Sequence, residues 1–436
     1  MLPPPLTLSD DFQYALDLLE NTDQSLFVTG KAGTGKSTLL QLYRNTTKKK
    51  VAVLAPTGVA ALNVQGQTIH SFFGFPPRVI TPAEASRKTH RKDLQRMYKN
   101  LEVLIVDEIS MVRADVLDGM DRFLRVNREN FRPFGGVQVV IFGDLFQLPP
   151  VVTKDPLERA YFSDYYDTPY FFSAKIFDDA DFRLETLELR KVYRQESRHF
   201  LRLLEAVRVN TLDHDDLDDL NERFEPQFKA TEGYITLCAR NATADGINRR
   251  ELEALQAAEI EFVADVEGSF DPALYPTEAA LRLRQGAQVM FVRNDPETRQ
   301  FVNGTIGIVT HLDRETIVVE TQDAGGKKRS IEVPILQWDI IRYRPGAGGG
   351  IDTEIVGAFR QYPLKLAWAI TIHKSQGKTF DRVLLDLGGG AFEHGQLYVA
   401  LSRCRTLEGI VLRHRIRPQD VITDERVVEF YASRFS

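Results

Sequence analysis

Only two cysteines, Cys238 and Cys404, occur in the 436 residues. They are far apart and form no CxxC pair, which excludes a disulfide framework and a cysteine-built zinc site and fits a reducing cytosol. No apolar run approaches the roughly 18 residues that a spanning helix needs, so no membrane span is expected. The opening MLPPPLTLSDDF lacks the basic segment and apolar core of a secretory signal, so no export is expected either. An excess of positive charge is also missing. Against 55 Lys and Arg stand 61 Asp and Glu, a net charge of −6, which argues against a passive nucleic-acid coat without excluding a local basic groove. No repeat of fixed period is present, so no solenoid is expected. The acidic run from Asp213 to Glu225 lacks EF-hand spacing and its glycine, and reads as a solvated helix face or turn.

What the chain does have is a pair of phosphate-handling signals. GKAGTGKST, from Gly30 to Thr38, follows the short apolar strand SLFVT and opens an amphipathic helix from Ser37 to Arg44, the strand-to-helix setting that GxxxxGK[ST] requires. Glycines there let backbone N–H groups converge on phosphate oxygens at the positive end of a helix. Gly33, Thr34, Gly35 and Thr38 belong to this cradle, Lys36 reaches the β- and γ-phosphates, and the Ser37 hydroxyl reaches a magnesium ion. The second signal is the apolar strand Val103 to Val106, which ends in Asp107-Glu108. Asp107 holds the metal in such an arrangement, and Glu108 orients or deprotonates the attacking water. Together they imply hydrolysis of a nucleoside triphosphate with Mg²⁺.

Further apolar strands at Val51 to Leu54 and Val137 to Phe142 alternate with helical stretches, the pattern of a parallel sheet covered on both faces. This predicts a first α/β lobe over residues 1–180. A second series, Tyr234 to Ala239, Ala287 to Val292, Leu366 to Ile372, Arg382 to Leu387 and Gly409 to Leu412, predicts a second parallel sheet without its own P-loop. Between Pro296 and Arg360 the pattern changes to short alternating strands (FVNGTIGIVTHL, ETIVVETQ, a Gly325-Gly326 turn, KKRSIEVPIL). These read as a small antiparallel barrel inserted in the second lobe, with PGAGGG at 345–350 as a loop.

The motifs LSDDFQYAL, GKAGTGKST, APTGVAALN, GQTIHSFFGF, VLIVDEISM, FGGVQVVIFGDLFQLPPV, VYRQES, FVNGTIGIV, AITIHKSQGKTFDRV and QLYVALSRCR follow one another along nearly the whole chain. In that order they resemble the Pif family of DNA helicases, a RecD-like branch of superfamily 1. GDLFQLPPV and the THKSQG-like spacing (Thr371, His373 to Gly377) are more specific than the P-loop. The resemblance implies an α/β fold of two RecA-like lobes, 1–180 and 181–295 with 361–436. It places a wedge-like segment near 65–80 and an SH3-like barrel at 296–360. It also implies a monomeric, ATP-driven motor that moves 5′ to 3′ on single-stranded DNA and unwinds duplex ahead of it; the direction rests on the resemblance alone.

Site residues follow from the same match. Gln147 hydrogen-bonds the γ-phosphate or the attacking water, Arg194 and Arg403 are arginine fingers from the second lobe, Gln13 reads the adenine edge, and Gly377 borders the nucleotide. On the DNA side, Thr57, Asn63, His70 and Ser71 of the first lobe and Thr236, Arg240, Asn241, His373 and Lys374 of the second offer polar and cationic groups for phosphates, and the match adds Pro149 to the DNA-binding residues. Phe72, Phe73 and Phe75 supply candidate stacking surfaces, with at least one of them kept in the core. Such contacts grip any sequence. Expected partners are single-stranded and forked duplex DNA, with G-quadruplexes and RNA–DNA hybrids left open, in a cytoplasmic, DNA-associated setting of bacterial type. Two rivals are a GTPase or small kinase, against which stands the missing NKxD-like motif, and a DNA-binding accessory with an idle P-loop, against which stand Lys36, Asp107 and Glu108.

Overall fold

The computed structural model describes residues 9–153, 155–322, 326–346 and 350–435. Gly325 of the expected turn, residues 347–349 of the glycine-rich loop and residues 1–8 lie outside them. Among the described residues no helix is long and apolar enough to cross a membrane.

Six strands form the first sheet: β1 (Ser25–Gly30), β2 (Val51–Ala55), β3 (Gln67–Thr68), β4 (Val103–Val106), β5 (Gln138–Phe142) and β6 (Leu184–Leu189). Their order is β3-β2-β4-β5-β1-β6, and every pairing is parallel. β1, β4 and β5 are buried along their whole length, as strands covered on both faces must be. The helix Lys36–Thr46 returns over the sheet because Leu39, Leu40 and Tyr43 fall on one face and are buried. Gly35 precedes it at φ +90°, a left-handed conformation that would strain any side chain. β6 lies beyond residue 180, so the first sheet is longer than the sequence reading made it. Its LETLEL pattern is only partly buried, as suits an edge.

The second parallel sheet has the order β18-β7-β19-β20 and is built from β7 (Ile235–Cys238), β18 (Ala369–Thr371), β19 (Val383–Asp386) and β20 (Ile410–Leu412). The stretch 287–292 is not part of it, contrary to expectation. There β11 (Gln288–Phe291) pairs antiparallel with β12 (Ile306–Leu312) and β17 (Leu364–Leu366). A short buried apolar run looks the same in either kind of sheet, and only its partners decide.

Antiparallel structure therefore starts well before residue 296. β8 (Glu259–Val263) pairs with β10 (Ala280–Arg284), and β9 (Asp265–Gly268) pairs with β16 (Ile351–Gln361), which also pairs with β15 (Leu336–Pro345). β13 (Ile317–Gln322) and β14 (Lys328–Glu332) complete a five-stranded sheet of order β14-β13-β12-β11-β17. This antiparallel part touches the first lobe through Tyr343. Its hydroxyl accepts the Val53 N–H at 2.9 Å, its N–H donates to Gln67 Oε1 at 3.1 Å, and its ring meets Phe72 edge-on at 5.7 Å. The acidic run holds a helix, His214–Asn221, as one reading had it. One of its carboxylates, Asp216, is buried against Arg202.

Candidate nucleotide and nucleic-acid sites

A cavity of about 750 Å³ opens where the P-loop meets the second parallel unit. From the first sheet it is lined by Gly33, Thr34, Gly35, Lys36, Ser37 and Thr38, with Glu108 and Gln147; from the other side come Arg194, Gly377 and Arg403. Asp107, at the end of β4, is buried beside Glu108. The residues read from separate motifs are thus brought to one place by strand ends, where ligands gather in parallel sheets.

Lys36 donates to the P-loop's own carbonyls, Gly30 O at 2.6 Å and Lys31 O at 3.0 Å. Burial lowers the pKa of its ammonium, and Asp144 and Glu108 oppose that effect. Burial, with the Glu108 carboxylate next to it, pushes the Asp107 carboxyl up to about 7, and burial raises Glu108 as well. Glu108 also sits at φ +51°, a left-handed backbone that costs roughly 1–3 kcal/mol at a non-glycine and marks a constrained residue.

The two arginines are anchored on backbone. Arg403, 1% exposed, donates from Nε to Val399 O at 2.8 Å, from Nη1 to Ser375 O and Lys378 O at 3.4 Å, and from Nη2 to Ser402 Oγ at 2.8 Å. Arg194 donates to Ser402 O at 3.1 Å. Burial depresses both, Arg403 to about 9 and Arg194 to about 10, which leaves them cationic at neutral pH. Arg194 also packs on the P-loop: a Cβ at Gly33 would lie 2.6 Å from its Cβ, so this close approach requires glycine there. Sequence reasoning missed Ser9, Phe12, Lys191, Tyr193, Thr379 and Arg405 in the lining. Tyr193 adjoins Arg194 in VYRQ, and Phe12 adjoins Gln13, so both motifs carried the signal. Gln13 itself is exposed on the helix Asp10–Asn21.

Behind the cavity lies a buried ionic cluster. Asp144 and Arg208 have fully buried side chains and approach to 3.4 Å, with Arg208 stacked 4.2 Å over the Phe146 ring and 5.1 Å over Tyr431. Burial pushes the Asp144 carboxyl up, but Arg208 and Lys36 outweigh it and hold it below the ordinary carboxylate range. Tyr398 donates to Asp144 Oδ2 at 3.2 Å and accepts the Ala32 N–H at 2.9 Å.

A family model described as PIF1-like helicase matches residues 8–217, one described as DNA helicase Pif1, 2B domain matches 273–312, and one described as UvrD-like helicase C-terminal domain matches 366–411. The ATP-dependent DNA helicase Pif1 of Bdellovibrio bacteriovorus is 33% identical over 435 residues, covering 98% of this chain and 92% of that one. The chain belongs to the PIF1-like helicase family. Human ATP-dependent DNA helicase PIF1 is 34% identical over 94% of this chain, which spans 61% of the human protein's length. Among solved structures, Bacteroides sp Pif1 with ADP-AlF4 has a TM-score of 0.90 at 39% identity, covering 98% of this chain and 97% of that one. Bacteroides Pif1 bound to ssDNA has a TM-score of 0.69 at 39% identity, with the same coverage. The two parallel units are therefore the RecA-like lobes of a Pif1-type fold.

The residues expected to contact nucleic acid are mainly exposed or half-buried here. Thr57 caps the helix Gly58–Asn63 by accepting the Ala60 N–H, and it is exposed, as are Asn63 and Ser71. His70 and Pro149 are half-buried, and burial with Arg113 lowers the pKa of His70. Arg240 and Asn241 are exposed at the start of the helix Asn241–Ala254, Lys374 is exposed, and His373 Nε2 lies 3.0 Å from Glu393. Two expectations need correction. Thr236 is 4% exposed within β7, paired with Ala369 and Leu384, because it sits inside the strand rather than at its end. Phe72 is 6% exposed, and Phe73 and Phe75 are buried with it, packed with Tyr98, Phe123 and Tyr343, so none presents a ring for base stacking.

Proposed function

We propose that this chain is an ATP-dependent DNA helicase that translocates 5′ to 3′ on single-stranded DNA and unwinds duplex ahead of it. The observation that carries the reading is the cavity between the lobes, where Lys36, Glu108 and Gln147 of the first line one space with Arg403 of the second and with Arg194, from the segment that follows β6. A γ-phosphoryl bound there is stabilised by cations from both sides only when the lobes meet, so hydrolysis follows lobe closure. Lys36 holds the phosphates, Gln147 contacts the γ-phosphate or the water, and the arginines act on transition-state charge. The fit for Mg²⁺ lies in the donors: the exposed Ser37 hydroxyl and the Asp107 carboxyl, which is buried beside Glu108 at the end of β4. Magnesium asks for one or two carboxylates plus phosphate oxygens. When bound, it would neutralise phosphate charge. Single-stranded and forked DNA are the proposed partners, supported by the exposed Lys374, Arg240, Asn241 and Asn63 at the lobes' outer turns.

The deciding experiment is strand displacement with ATP on partial duplexes carrying only a 5′ or only a 3′ single-stranded tail. Unwinding of the 5′-tailed substrate is expected; unwinding of the 3′-tailed one alone reverses the proposed direction, and none on either removes the helicase reading. Within the site, Glu108→Gln keeps side-chain size and loses basicity. It is expected to bind MgATP tightly and to lose hydrolysis by about 10²–10⁴-fold, measured as single-turnover phosphate release. Near-normal release would move water activation to Gln147.

A further inference from the structure

A line of hydrogen bonds behind the cavity runs from one lobe's DNA-side turn to the P-loop. Gln376 Nε2 donates to Gln147 Oε1 at 3.3 Å, Gln147 Nε2 donates to Asp144 Oδ2 at 3.4 Å, the same oxygen accepts from the Tyr398 hydroxyl at 3.2 Å, and that hydroxyl accepts the Ala32 N–H at 2.9 Å. Chemistry fixes the polarity of each link. The Ala32 N–H only donates and the Asp144 carboxylate only accepts, so the single Tyr398 proton must point at Asp144. The Gln147 amide must then turn its nitrogen to the carboxylate and its oxygen to Gln376. Burial holds the Tyr398 phenol protonated, and Arg208 holds Asp144 ionised.

The two ends of this line have different surroundings. Gln376 directly follows the turn His373–Ser375, whose Lys374 is exposed on the proposed DNA face. Ala32 is buried within the loop whose amides must converge on phosphate. The two links at Gln147 are the longest of the line, at 3.3 and 3.4 Å, and the link from Ala32 to Tyr398 is the shortest, at 2.9 Å. A small shift of the DNA-side turn breaks or tightens the Gln376 contact first.

We propose that Tyr398 and Gln376 are positioning residues that transmit the state of the DNA-side turn, through Gln147 and Asp144, to the P-loop amide of Ala32. The proposal rests on the reading of the chain as a DNA-stimulated ATPase. Neither side chain touches nucleotide in this role; they set how the P-loop presents its N–H groups when phosphoryl charge shifts, which alters the rate more than ground-state affinity.

The test starts with the unaltered chain, by measuring ATP turnover with and without single-stranded DNA. Absence of stimulation there overturns the helicase reading itself and is distinct from what the variants report. Given stimulation, Tyr398→Phe and Gln376→Leu are each expected to lower DNA-stimulated kcat about tenfold. The KM for ATP and the Kd for ADP should stay within about twofold. The double variant should be no slower than the slower single one, since both interrupt one line. Multiplying effects overturn the proposal, and so does a fall in ADP affinity parallel to kcat, which would make Tyr398 a packing residue of the P-loop. Thermal melting checks folding; should Tyr398→Phe not fold, an unchanged stimulated rate in Gln376→Leu overturns the proposal alone.

Discussion

Arg403→Ala is expected to slow DNA-stimulated ATP hydrolysis by about 10³-fold or more while changing ATP affinity only slightly. The guanidinium is 1% exposed, and its hydrogen bonds go to three backbone carbonyls and one hydroxyl. None of those acceptors carries a full negative charge, so the cation is held in place without being neutralised. A buried, preoriented charge of this kind acts most strongly on an anion that gains charge late. Turnover at saturating ATP and single-stranded DNA, set beside equilibrium binding of a non-hydrolysed ATP analogue, checks the claim. Weakened binding with intact turnover would assign Arg403 to ground-state clamping instead.

Asp144→Ala is expected to cost about 3–5 kcal/mol of folding stability, because it strands the Arg208 charge inside the protein. Both side chains are fully buried, and the remaining carboxylate partner, Glu205, is itself partly exposed and 3.4 Å away. Asp144→Ala with Arg208→Met should recover most of the loss, since the apolar side chain fills the space between Phe146 and Tyr431 without a charge to desolvate. Denaturant unfolding of the two variants at neutral pH is the measurement. If the single variant unfolds at the same midpoint as the parent chain, the cluster contributes nothing to stability. The sign with pH follows from the depressed Asp144 pKa: its contribution is present above the ordinary carboxylate range and is lost as pH falls through the lowered value.

The nucleotide site was the most legible part of this chain, because its residues lie at the ends of continuous apolar strands. SLFVT and VLIV announce β1 and β4 by composition alone, and Lys36, Asp107 and Glu108 follow at fixed positions. β6 was cut off from its lobe because LETLEL alternates weakly at an edge, and Gln288–Phe291 was placed in the wrong sheet because burial does not encode the direction of a partner. Phe72, Phe73 and Phe75 look like a stacking surface when only spacing is known; Tyr98, Phe123 and Tyr343, distant in sequence, turn them inward. Tyr398 and Asp144 were both inside quoted motifs, yet their meeting depends on how two lobes pack, which no local pattern expresses.

The lysine of the P-loop has acceptors within its own loop. Its ammonium rests on Gly30 O and Lys31 O, so nucleotide arrival is an exchange of acceptors, neutral carbonyls for charged phosphate oxygens, rather than the filling of a vacancy. Affinity is then a difference between two satisfied states, smaller than the attraction of the phosphates alone. On the proposed reading, the same exchange would run backwards when product leaves, with the lysine returning to Gly30 O and Lys31 O. For a nucleotide motor of the proposed kind, a lysine that can return to its own loop's carbonyls would speed release of the charged product.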